Sequence, residues 1–379
     1  MKIAFDAKRI THNKTGLGNY SRFIINALSK YYTDNILMLF TPDKGIHRLS
    51  EQIVKSDQVK FFYSTNKSKI MKSIWRSFLL PNDVVKNKAV IFHGLSNEIP
   101  FFIKRKGIRS IVSIHDLIFI RYPEYYKWID RQIYYYKFKY ACLQSTRIIA
   151  ISEMTKKDII SFYNINPAKI DVVYQGCDKS FTHKVTEQKK NAIRAKYDLP
   201  DEYILSVGTI EERKNLMVLV KALKNVSSEI KLIVVGKETN YTQSIYSYIE
   251  EHDLKDRISF FHTVSFDELP SLYQMATLFV YPSRFEGFGI PIVEALYSEI
   301  PVIAAKGSCL EEAGGKYSLY VDPDDAYDLT EKINKVLSNK ELASVMVEEG
   351  LKHAAMFSEE NIAKRIMSIY KKTILEQTI

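Results

Sequence analysis

Short apolar runs alternate with longer amphipathic stretches along the chain. In the first half, apolar runs of strand length occupy residues 2–7, 36–40, 89–94, 109–116 and 146–152. Between them, apolar side chains recur at helical spacing over residues 20–32, 125–143 and 153–162. Strands that alternate with helices predict βαβ units, and therefore a mostly parallel sheet covered by helices.

The same alternation resumes after a polar stretch at residues 186–202. The predicted strands there are residues 203–209, 231–236, 258–264, 278–283 and 301–305. Helical spacing follows at residues 216–226, 326–337 and 359–376. The pattern predicts two consecutive α/β domains with a boundary near residues 180–200. Because ligands of parallel sheets bind at the carboxyl ends of the strands, candidate functional residues are sought there.

The length and composition agree with this prediction. A chain of 379 residues is too long for one ordinary core, and 46% apolar and 26% charged residues are typical of soluble globular proteins. No apolar run approaches the roughly 18 residues of a membrane span, and the N-terminus lacks the features of a signal peptide. Three widely separated cysteines, Cys142, Cys177 and Cys309, predict free thiols in a reducing cytoplasm.

The charge is divided unevenly between the two halves. Residues 1–200 hold 35 Lys/Arg against 16 Asp/Glu, a net of +19, and the remainder holds 19 against 28, a net of −9. A basic first half predicts contact with an anionic surface, for which nucleic acid, anionic lipid and a phosphate-bearing acceptor are the candidates. The alternative is a charge division that only helps the halves associate.

Two carboxylates flank a glycine turn in the segment YPSRFEGFGIPIVEAL, residues 281–296. A helix that begins at Pro291 directs free backbone N–H groups towards Gly287 and Gly289, where a phosphate can approach closely. Glu294, in the first helical turn, can accept hydrogen bonds from a ribose diol, and Glu286 can accept them from a second polyol. The order Glu286, glycine turn, Glu294 matches a sugar, a diphosphate and a ribose in a row. The segment therefore favours a nucleotide sugar over the alternative in which Glu294 only stabilises the helix dipole and Glu286 is solvated.

Cations and glycines follow other predicted strands. Arg213 and Lys214, in GTIEERKN, follow the strand at 203–209 and could neutralise a leaving diphosphate; the alternative is a solvated basic pair. Gly16 and Gly18, in TGLGNY, follow the first strand. They permit close approach of a phosphate or sugar, or they form an ordinary glycine turn.

A histidine ends the predicted strand 109–116. His115 and Asp116 are expected at the rim of the sheet, where a histidine could contact a sugar or act as an acid–base group. The alternative is a structural histidine that bonds a neighbouring backbone group.

Two further segments are interpreted as structural. The Asp-x-Asp of VDPDD, residues 321–325, could hold a divalent ion, but its proline and the helix after it favour a turn in which Asp324 or Asp325 caps that helix. The segment 121–140 interleaves tyrosines with basic residues. An ordinary helix with an aromatic core face is favoured there, with a membrane surface or stacked bases as alternatives.

Taken together, these segments resemble glycosyltransferase family 4, a group of retaining enzymes with the GT-B fold. The resemblance is strongest over residues 203–325, where VGTIEERKN, the glutamate segment, PVIAA, SCLEEAGG and DPDD follow one another in the family's order. It implies two Rossmann-like domains with parallel sheets facing a cleft, at residues 1–185 and 186–359. It also implies that a last helix, at about 360–379, packs back on the first domain.

The resemblance also implies roles for individual residues. The nucleotide sugar would lie mainly on the second domain and the acceptor on the first, and no metal would be required. Glu286 and His115 would act at the reacting sugar, and Glu294 would bind the ribose. The other residues implied on the donor side are Gly16, Gly18, Thr209, Arg213, Lys214, Val264, Gly287, Phe288, Gly289 and Ile290.

The chain departs from the family pattern at three places. Thr209 stands where an arginine is common, Thr263 stands where a glycine is common, and YSEI, before PVIAA, also lacks a common glycine. Arg213 could replace the first missing charge, and the backbone of Val264 could still contact the base. The segments GLGNY, IHDL and VGTIEERKN are similar to those of bacterial mannosyltransferases of surface-polysaccharide assembly. They imply GDP-mannose as the donor and a glycan or lipid-linked acceptor, for a cytoplasmic enzyme at or near the inner membrane face.

Three other functions fit parts of the sequence. A sugar-nucleotide epimerase of the same fold would use the donor site without an acceptor. An NAD-dependent oxidoreductase is suggested by the glycine turn, but it leaves residues 281–294 unexplained. A nucleic-acid-binding protein is suggested by the basic charge and the tyrosines.

Overall fold

The computed structural model describes residues 1–376 and divides the chain into two compact units. One unit contains Met1–Gly176 together with the chain from Ser358 onward, and the other contains Cys177–Phe357. The sequence placed the first boundary after residue 185 and the second after residue 359. Residues 377–379 of the predicted last helix lie outside the described residues.

The first unit is built on a seven-stranded parallel sheet. Its strands are Lys2–Asp6 (β1), Ile36–Thr41 (β2), Val59–Tyr63 (β3), Ile91–Gly94 (β4), Arg109–Ile114 (β5), Arg147–Ala150 (β6) and Ile170–Val172 (β7). They lie in the order β3-β2-β1-β4-β5-β6-β7. The strand order reverses between β1 and β4, which is where doubly wound sheets bind their ligands.

Helices cover this sheet, and the side chains between form its core. The helices are Lys8–His12 (α1), Gly16–Tyr31 (α2), His47–Ser50 (α3), Lys69–Ile74 (α4), Leu80–Lys86 (α5), Ile118–Arg121 (α6), Trp128–Gln144 (α7) and Glu153–Tyr163 (α8). A π-helical turn, Trp75–Leu79, joins α4 to α5. Phe92 and Ile148 of the strands are buried in one cluster with Phe138 of α7 and Ile159 of α8. Removing this apolar surface from water is the main stabilising contribution.

The second unit repeats the design with six parallel strands. They are Tyr203–Val207 (β8), Lys231–Val235 (β9), Ile258–Phe261 (β10), Leu278–Tyr281 (β11), Val302–Ala305 (β12) and Leu319–Val321 (β13). Their order is β10-β9-β8-β11-β12-β13, so the reversal lies between β8 and β11. Its helices are Glu187–Tyr197 (α9), Leu216–Leu223 (α10), Thr242–Glu251 (α11), Leu269–Gln274 (α12), Ile290–Tyr297 (α13), Leu310–Gly314 (α14), Ala326–Ser338 (α15) and Lys340–Ala354 (α16).

The last helix belongs to the first unit. Helix Glu359–Leu375 (α17) packs against α2, where Glu359 pairs with Lys30 at 2.7 Å. Its Tyr370 is buried, and the hydroxyl lies 2.7 Å from Nδ1 of His93 on β4. Among the described residues, no helix is both long and apolar enough to cross a membrane.

The predicted fold class, α/β with two Rossmann-like units of parallel strands, is confirmed. The sequence pattern did not predict β7 and β13, since strands of three residues are too short to show a pattern. It also missed β3, because its VKFFY run has no fully buried residue. Helix α16 was missed because Asn339 both ends α15 and caps α16, so no loop separates the two helices.

Candidate active site

Glu286 lies in the loop after β11 and is surrounded by hydrogen-bond donors. Its Oε1 accepts from the Lys214 ammonium, from the Tyr281 hydroxyl at 3.0 Å and from the Ser283 hydroxyl at 2.7 Å. Its Oε2 lies 2.9 Å from the Arg213 guanidinium. Burial alone would raise the pKa of this carboxyl, but the charges of Lys214 and Arg213 outweigh burial and lower it to about 2. The site therefore holds a permanent carboxylate between two cations.

The loop after β8 brings those two cations to Glu286. Arg213 and Lys214 end a short 3-10 turn, and Asn215 follows in the left-handed region at φ 58 before α10 begins. The Asn215 amide donates to the carbonyl of Pro282 at 3.2 Å and to that of Pro323 at 2.6 Å. One side chain thus joins the loops after β8, β11 and β13. These loops meet where the strand order reverses, as expected for a ligand site.

A glycine turn connects Glu286 to α13. Gly289 has φ 120, a conformation that favours glycine, and stands at the N-cap of the helix. The helix begins at Ile290, one residue before the predicted start at Pro291. The N-terminus of α13 therefore points its unpaired N–H groups and partial positive charge into this turn. The arrangement can bind an anion such as a diphosphate.

The far side of the turn is fixed by a thiol and an aromatic contact. The Cys309 thiol donates to the carbonyl oxygens of Glu286 at 3.0 Å and Phe288 at 3.1 Å. The Phe288 ring is buried and meets the ring of Phe357 edge-on, with centroids 5.3 Å apart. The side chain of Phe288 is thus part of the core, and only its backbone is placed to contact a ligand.

Glu294 lies in the second turn of α13, and not in the first turn as the sequence analysis expected. Its Oε2 accepts from the Tyr273 hydroxyl at 3.0 Å, while Oε1 accepts no hydrogen bond from any residue the structure describes. Burial, with a smaller contribution from the nearby charge of Asp178, raises the pKa of this carboxyl to about 7. Glu294 therefore changes charge near neutral pH, whereas Glu286 does not.

The remaining predicted residues of this unit are spread along the same edge of the sheet. Thr209 is exposed, directly beyond the end of β8. Val264 is half-buried and follows β10, two strands from β8 and hence roughly 10 Å away along the sheet. The structure therefore gathers Arg213, Lys214 and Glu286 beside the turn at 287–290, and leaves Val264 at the margin.

In the first unit, the predicted glycine loop is the start of a helix. Gly16 and Gly18 lie in the first turn of α2. A Cβ at Gly18 would lie 2.0 Å from the carbonyl oxygen of Asn13, so this position requires glycine for packing. A Cβ at Gly16 would meet nothing within 4 Å. Gly16 is thus open to a ligand, whereas Gly18 has a structural reason to be glycine.

His115 follows β5, and both of its ring nitrogens have protein partners. Nε2 lies 2.9 Å from the Leu95 carbonyl and must donate to it, so Nδ1 accepts from the Gln175 amide at 3.0 Å. Burial lowers the pKa of the imidazole to about 4, which keeps it neutral at pH 7. The ring also packs edge-on against Tyr20 of α2, with centroids 4.6 Å apart. This geometry agrees with the structural alternative and does not support an acid–base role for His115; its contact with a sugar stays a prediction.

The Asp-x-Asp segment forms the turn that was predicted. Asp325 is the N-cap of α15 and accepts from the backbone N–H groups of Tyr327 and Asp328. Asp324 pairs with Arg284 at 2.6 Å, and Asp322 lies 3.4 Å from Lys306. Each of these carboxylates therefore has a structural partner.

Two protein-family models match most of the chain between them. A model described as "Glycosyl transferases group 1" matches residues 188–353, and one described as "Glycosyltransferase Family 4" matches residues 18–181. The chain belongs to glycosyltransferase family 4. This assignment replaces the hypotheses of an oxidoreductase and of a nucleic-acid-binding protein.

Named relatives agree with the family assignment. The glycosyltransferase is 27% identical to O-antigen chain mannosyltransferase B of Escherichia coli, over 98% of this chain and 100% of that protein. It is 34% identical to O-antigen chain mannosyltransferase RfbU of Salmonella typhimurium, over 56% of this chain and 57% of that protein. The structure of Anabaena HepE in complex with UDP and glucose is similar in fold, with a TM-score of 0.75 at 17% identity, covering 98% of this chain and 100% of that one.

Several residues that shape the site of the glycosyltransferase were missed by sequence reasoning. Ser283 precedes Glu286 by three residues in one turn, a spacing that could have identified it. Tyr273 reaches Glu294 from α12, and Cys309 reaches the glycine turn from the segment before α14. No local pattern links these residues to their partners, because the contacts form only when distant segments pack.

The raised pKa of Glu294 predicts that the stability of the glycosyltransferase depends on pH. The pKa of about 7 lies above the ordinary 4.5, so the folded state binds this proton more tightly and the free energy of unfolding falls as pH rises from 4.5 to 7. We expect the stability of Glu294→Gln relative to the wild type to increase as the pH rises through this window. Above the window, at pH 8, the variant should be more stable by about 2–3 kcal/mol. Urea unfolding at pH 5 and pH 8 measures the change. The exposed Glu331→Gln is the control, and a Glu294→Gln effect equal at both pH values would contradict the shift.

Proposed function

We propose that this glycosyltransferase moves a hexosyl group from a nucleoside diphosphate sugar to a hydroxyl of a glycan or lipid-linked acceptor in surface-polysaccharide biosynthesis. The proposed donor is GDP-mannose, and the proposed outcome is retention of the anomeric configuration. One observation carries the donor class. A carboxylate paired with Arg213 and Lys214 lies beside the glycine turn at the N-terminus of α13, and Glu294 lies one helical turn further along.

The charges at the site suit a diphosphate. Arg213 and Lys214 share the carboxylate of Glu286, and Arg213 also pairs with Glu211 at 2.6 Å, so Lys214 is the cation with only one carboxylate partner among the described residues. The N-terminus of α13 adds a partial positive charge and free N–H groups at the same turn. We propose that the donor diphosphate binds there without a metal ion, with Lys214 as its main cation and Thr209 and Arg213 beside it.

The two glutamates suit the ends of the donor. The open Oε1 of Glu294 can accept from a ribose hydroxyl, and Tyr273 holds the other oxygen of this carboxyl. Glu286 stays ionised at any physiological pH because its pKa is about 2. We propose that Glu286 faces the donor sugar, where a fixed negative charge stabilises the positive charge that develops at the anomeric carbon. The backbone of Val264 would contact the base.

The proposed reaction exchanges one bond at the anomeric carbon for another. The bond from this carbon to the diphosphate oxygen breaks, and the diphosphate leaves with the electron pair. The acceptor hydroxyl oxygen bonds to the same carbon from the same face and transfers its proton to the leaving phosphate. Lys214, Arg213 and the N-terminus of α13 take up the charge of the leaving group.

The relatives support the donor sugar and the setting of this proposal. Both bacterial relatives are named as mannosyltransferases of O-antigen chains, which favours a mannosyl donor and a polysaccharide acceptor. The Anabaena structure is named as a complex with UDP and glucose, so uridine nucleotides belong in the same test. The three cysteines are free and buried, which agrees with the cytoplasmic location we propose.

A thermal-shift screen without added metal tests the donor site. GDP, UDP, ADP and their hexose conjugates are added at millimolar concentration to wild type, Glu294→Ala and the exposed control Glu331→Ala. A ligand at a hundred times its Kd stabilises the folded state by about 2.7 kcal/mol, which raises Tm measurably. We expect one base to raise Tm in the wild type and the control, and not in Glu294→Ala.

Two outcomes would contradict the proposal. A folded wild type that none of the nucleotides stabilises would remove the donor site. Conversion of the donor sugar in the absence of any acceptor would instead show a sugar-nucleotide epimerase.

A further inference from the structure

The segment from α4 to the π-helical turn exposes an apolar surface on the first unit. Five side chains are more than a third exposed: Ile70 at 72%, Met71 at 41%, Ile74 at 38%, Phe78 at 44% and Leu79 at 41%. The segment is anchored by Trp75, which is buried and whose indole N–H donates to Asp83 at 2.7 Å. The apolar side chains around this anchor are left uncovered by the residues that the structure describes.

A neighbouring loop extends this surface. The ring of Phe78 stacks on that of Phe101, with centroids 5.0 Å apart, and the adjacent Phe102 is 42% exposed. The loop is held in place, because the Phe101 N–H donates to the Ser77 carbonyl at 2.7 Å and the Phe102 N–H to the Tyr140 hydroxyl at 3.0 Å. We call Ile70, Met71, Ile74, Phe78, Leu79 and Phe102 the apolar patch.

Basic residues border the apolar patch. Residues 65–106 contain nine Lys/Arg against two Asp/Glu, a net of +7. Both acidic residues are already engaged, Asp83 by Trp75 and Glu98 by Arg76 at 3.0 Å. The border consists of the exposed Lys67, Lys69, Lys104, Arg105 and Lys106, none of which makes an ion pair with a residue that the structure describes.

We propose that the apolar patch and its basic border dock on the anionic surface of a lipid bilayer. Aliphatic and aromatic side chains would enter the head-group region, and the lysines and Arg105 would bind the phosphates of anionic lipids. A second copy of the chain fits less well, because two borders of the same charge would repel. Nucleic acid also fits less well, since four of the six patch side chains are aliphatic or thioether groups without a ring on which a base could stack, and the ring of Phe78 already stacks on Phe101.

Co-sedimentation of the full chain with vesicles tests this surface. Phosphatidylcholine vesicles are compared with vesicles in which about a third of the lipid is phosphatidylglycerol, at low and at high salt. We expect the wild type to bind the anionic vesicles at low salt, with weaker binding at high salt because ions screen the lipid charge.

Two sets of variants separate the apolar and the charged contributions. One carries Ile70→Ser, Ile74→Ser and Phe78→Ser, and the other carries Lys67→Glu, Lys69→Glu and Arg105→Glu. We expect each to bind anionic vesicles at least tenfold more weakly than the wild type. The matched controls change equally exposed residues of the second unit: Tyr327→Ser with Val345→Ser, and Lys335→Glu with Lys340→Glu. They should bind as the wild type does, and equal melting temperatures show that all variants fold.

Several results would overturn this proposal. One is wild-type binding that is absent, or that is equal on neutral and anionic vesicles. Another is that the patch variants bind anionic vesicles as tightly as the wild type does. A third is that the wild type forms a dimer that the serine variant does not form. Oligonucleotide binding in place of vesicle binding would overturn it as well. None of these measurements uses a donor or turnover. The membrane surface and the proposed function can therefore fail separately.

Discussion

Glu286→Gln is expected to lower the rate constant of glycosyl transfer by about 10²–10³-fold, the loss typical of removing one preorganised charge from a transition state. The carboxylate pairs with both Arg213 and Lys214, and its pKa of about 2 keeps it charged. Glutamine keeps the size and one acceptor oxygen but loses the charge. Steady-state transfer kinetics with saturating donor measure the effect.

The same variant should not bind the nucleoside diphosphate more weakly. Without the carboxylate, Lys214 loses its anionic partner and Arg213 keeps only Glu211, so the positive charge that faces the diphosphate increases by one and its affinity should be equal or higher. Calorimetric titration of the nucleoside diphosphate measures this. Glu212→Gln, which is exposed and lies on the loop that carries Arg213 and Lys214, is the control. Parallel losses of affinity and of rate in Glu286→Gln would show that Glu286 only positions Lys214, and would refute a direct role at the sugar.

Lys214→Met is expected to weaken nucleoside diphosphate binding by about 10–100-fold, as the loss of one charge-assisted hydrogen bond predicts. Transfer should fall further, because the charge on the diphosphate grows as it leaves. Lys214 also donates to Tyr281 at 2.6 Å, so methionine removes two polar contacts while keeping most of the apolar stem. The affinity and kcat/KM should therefore both decrease, and kcat/KM more steeply.

Two comparisons make this result specific. Lys221→Met changes an exposed lysine of α10, away from the turn at 287–290, and should leave both quantities unchanged. Lys214→Arg keeps the charge and should restore a part of the binding. If Lys214→Met binds the nucleoside diphosphate as tightly as the wild type, the diphosphate does not lie at this cation.

The sequence predicted the central strands well and the sheet edges poorly. Buried strands such as β1 and β8 are continuous apolar runs, and that pattern is local to the chain. The edge strands β3 and β13 are short or partly exposed, and they are strands because a neighbour pairs with them. The helical start of α2 was missed because glycine is a weak helix former. In the structure, the Asn13 side chain accepts the Gly18 N–H at 3.1 Å and so satisfies a backbone donor of the first turn.

The candidate site shows the same division between local and distant information. The turn from Glu286 to Glu294 lies within one short segment, so spacing alone identified its glycines, its helix and its two carboxylates. The opposite directions of the pKa shifts of the two glutamates were not visible in the sequence. They arise because Lys214 and Arg213 come from another loop and lower the pKa of Glu286, whereas burial raises the pKa of Glu294 more than the hydrogen bond from Tyr273 lowers it. For His115, the partners Leu95 and Gln175 likewise come from distant segments and occupy both ring nitrogens, while burial keeps the ring neutral at pH 7.

The sequence by itself determined the two α/β units, the glycine turn between Glu286 and Glu294, and the family. Periodicity, turn residues and motifs are properties of neighbouring residues, and they can be recognised without knowledge of the fold. Only the tertiary structure decided which charges neutralise each other, which histidine nitrogens are occupied and which apolar side chains around α4 stay uncovered. Those properties depend on burial and on distances between residues far apart in the chain, because electrostatic and packing energies are set by separation in space.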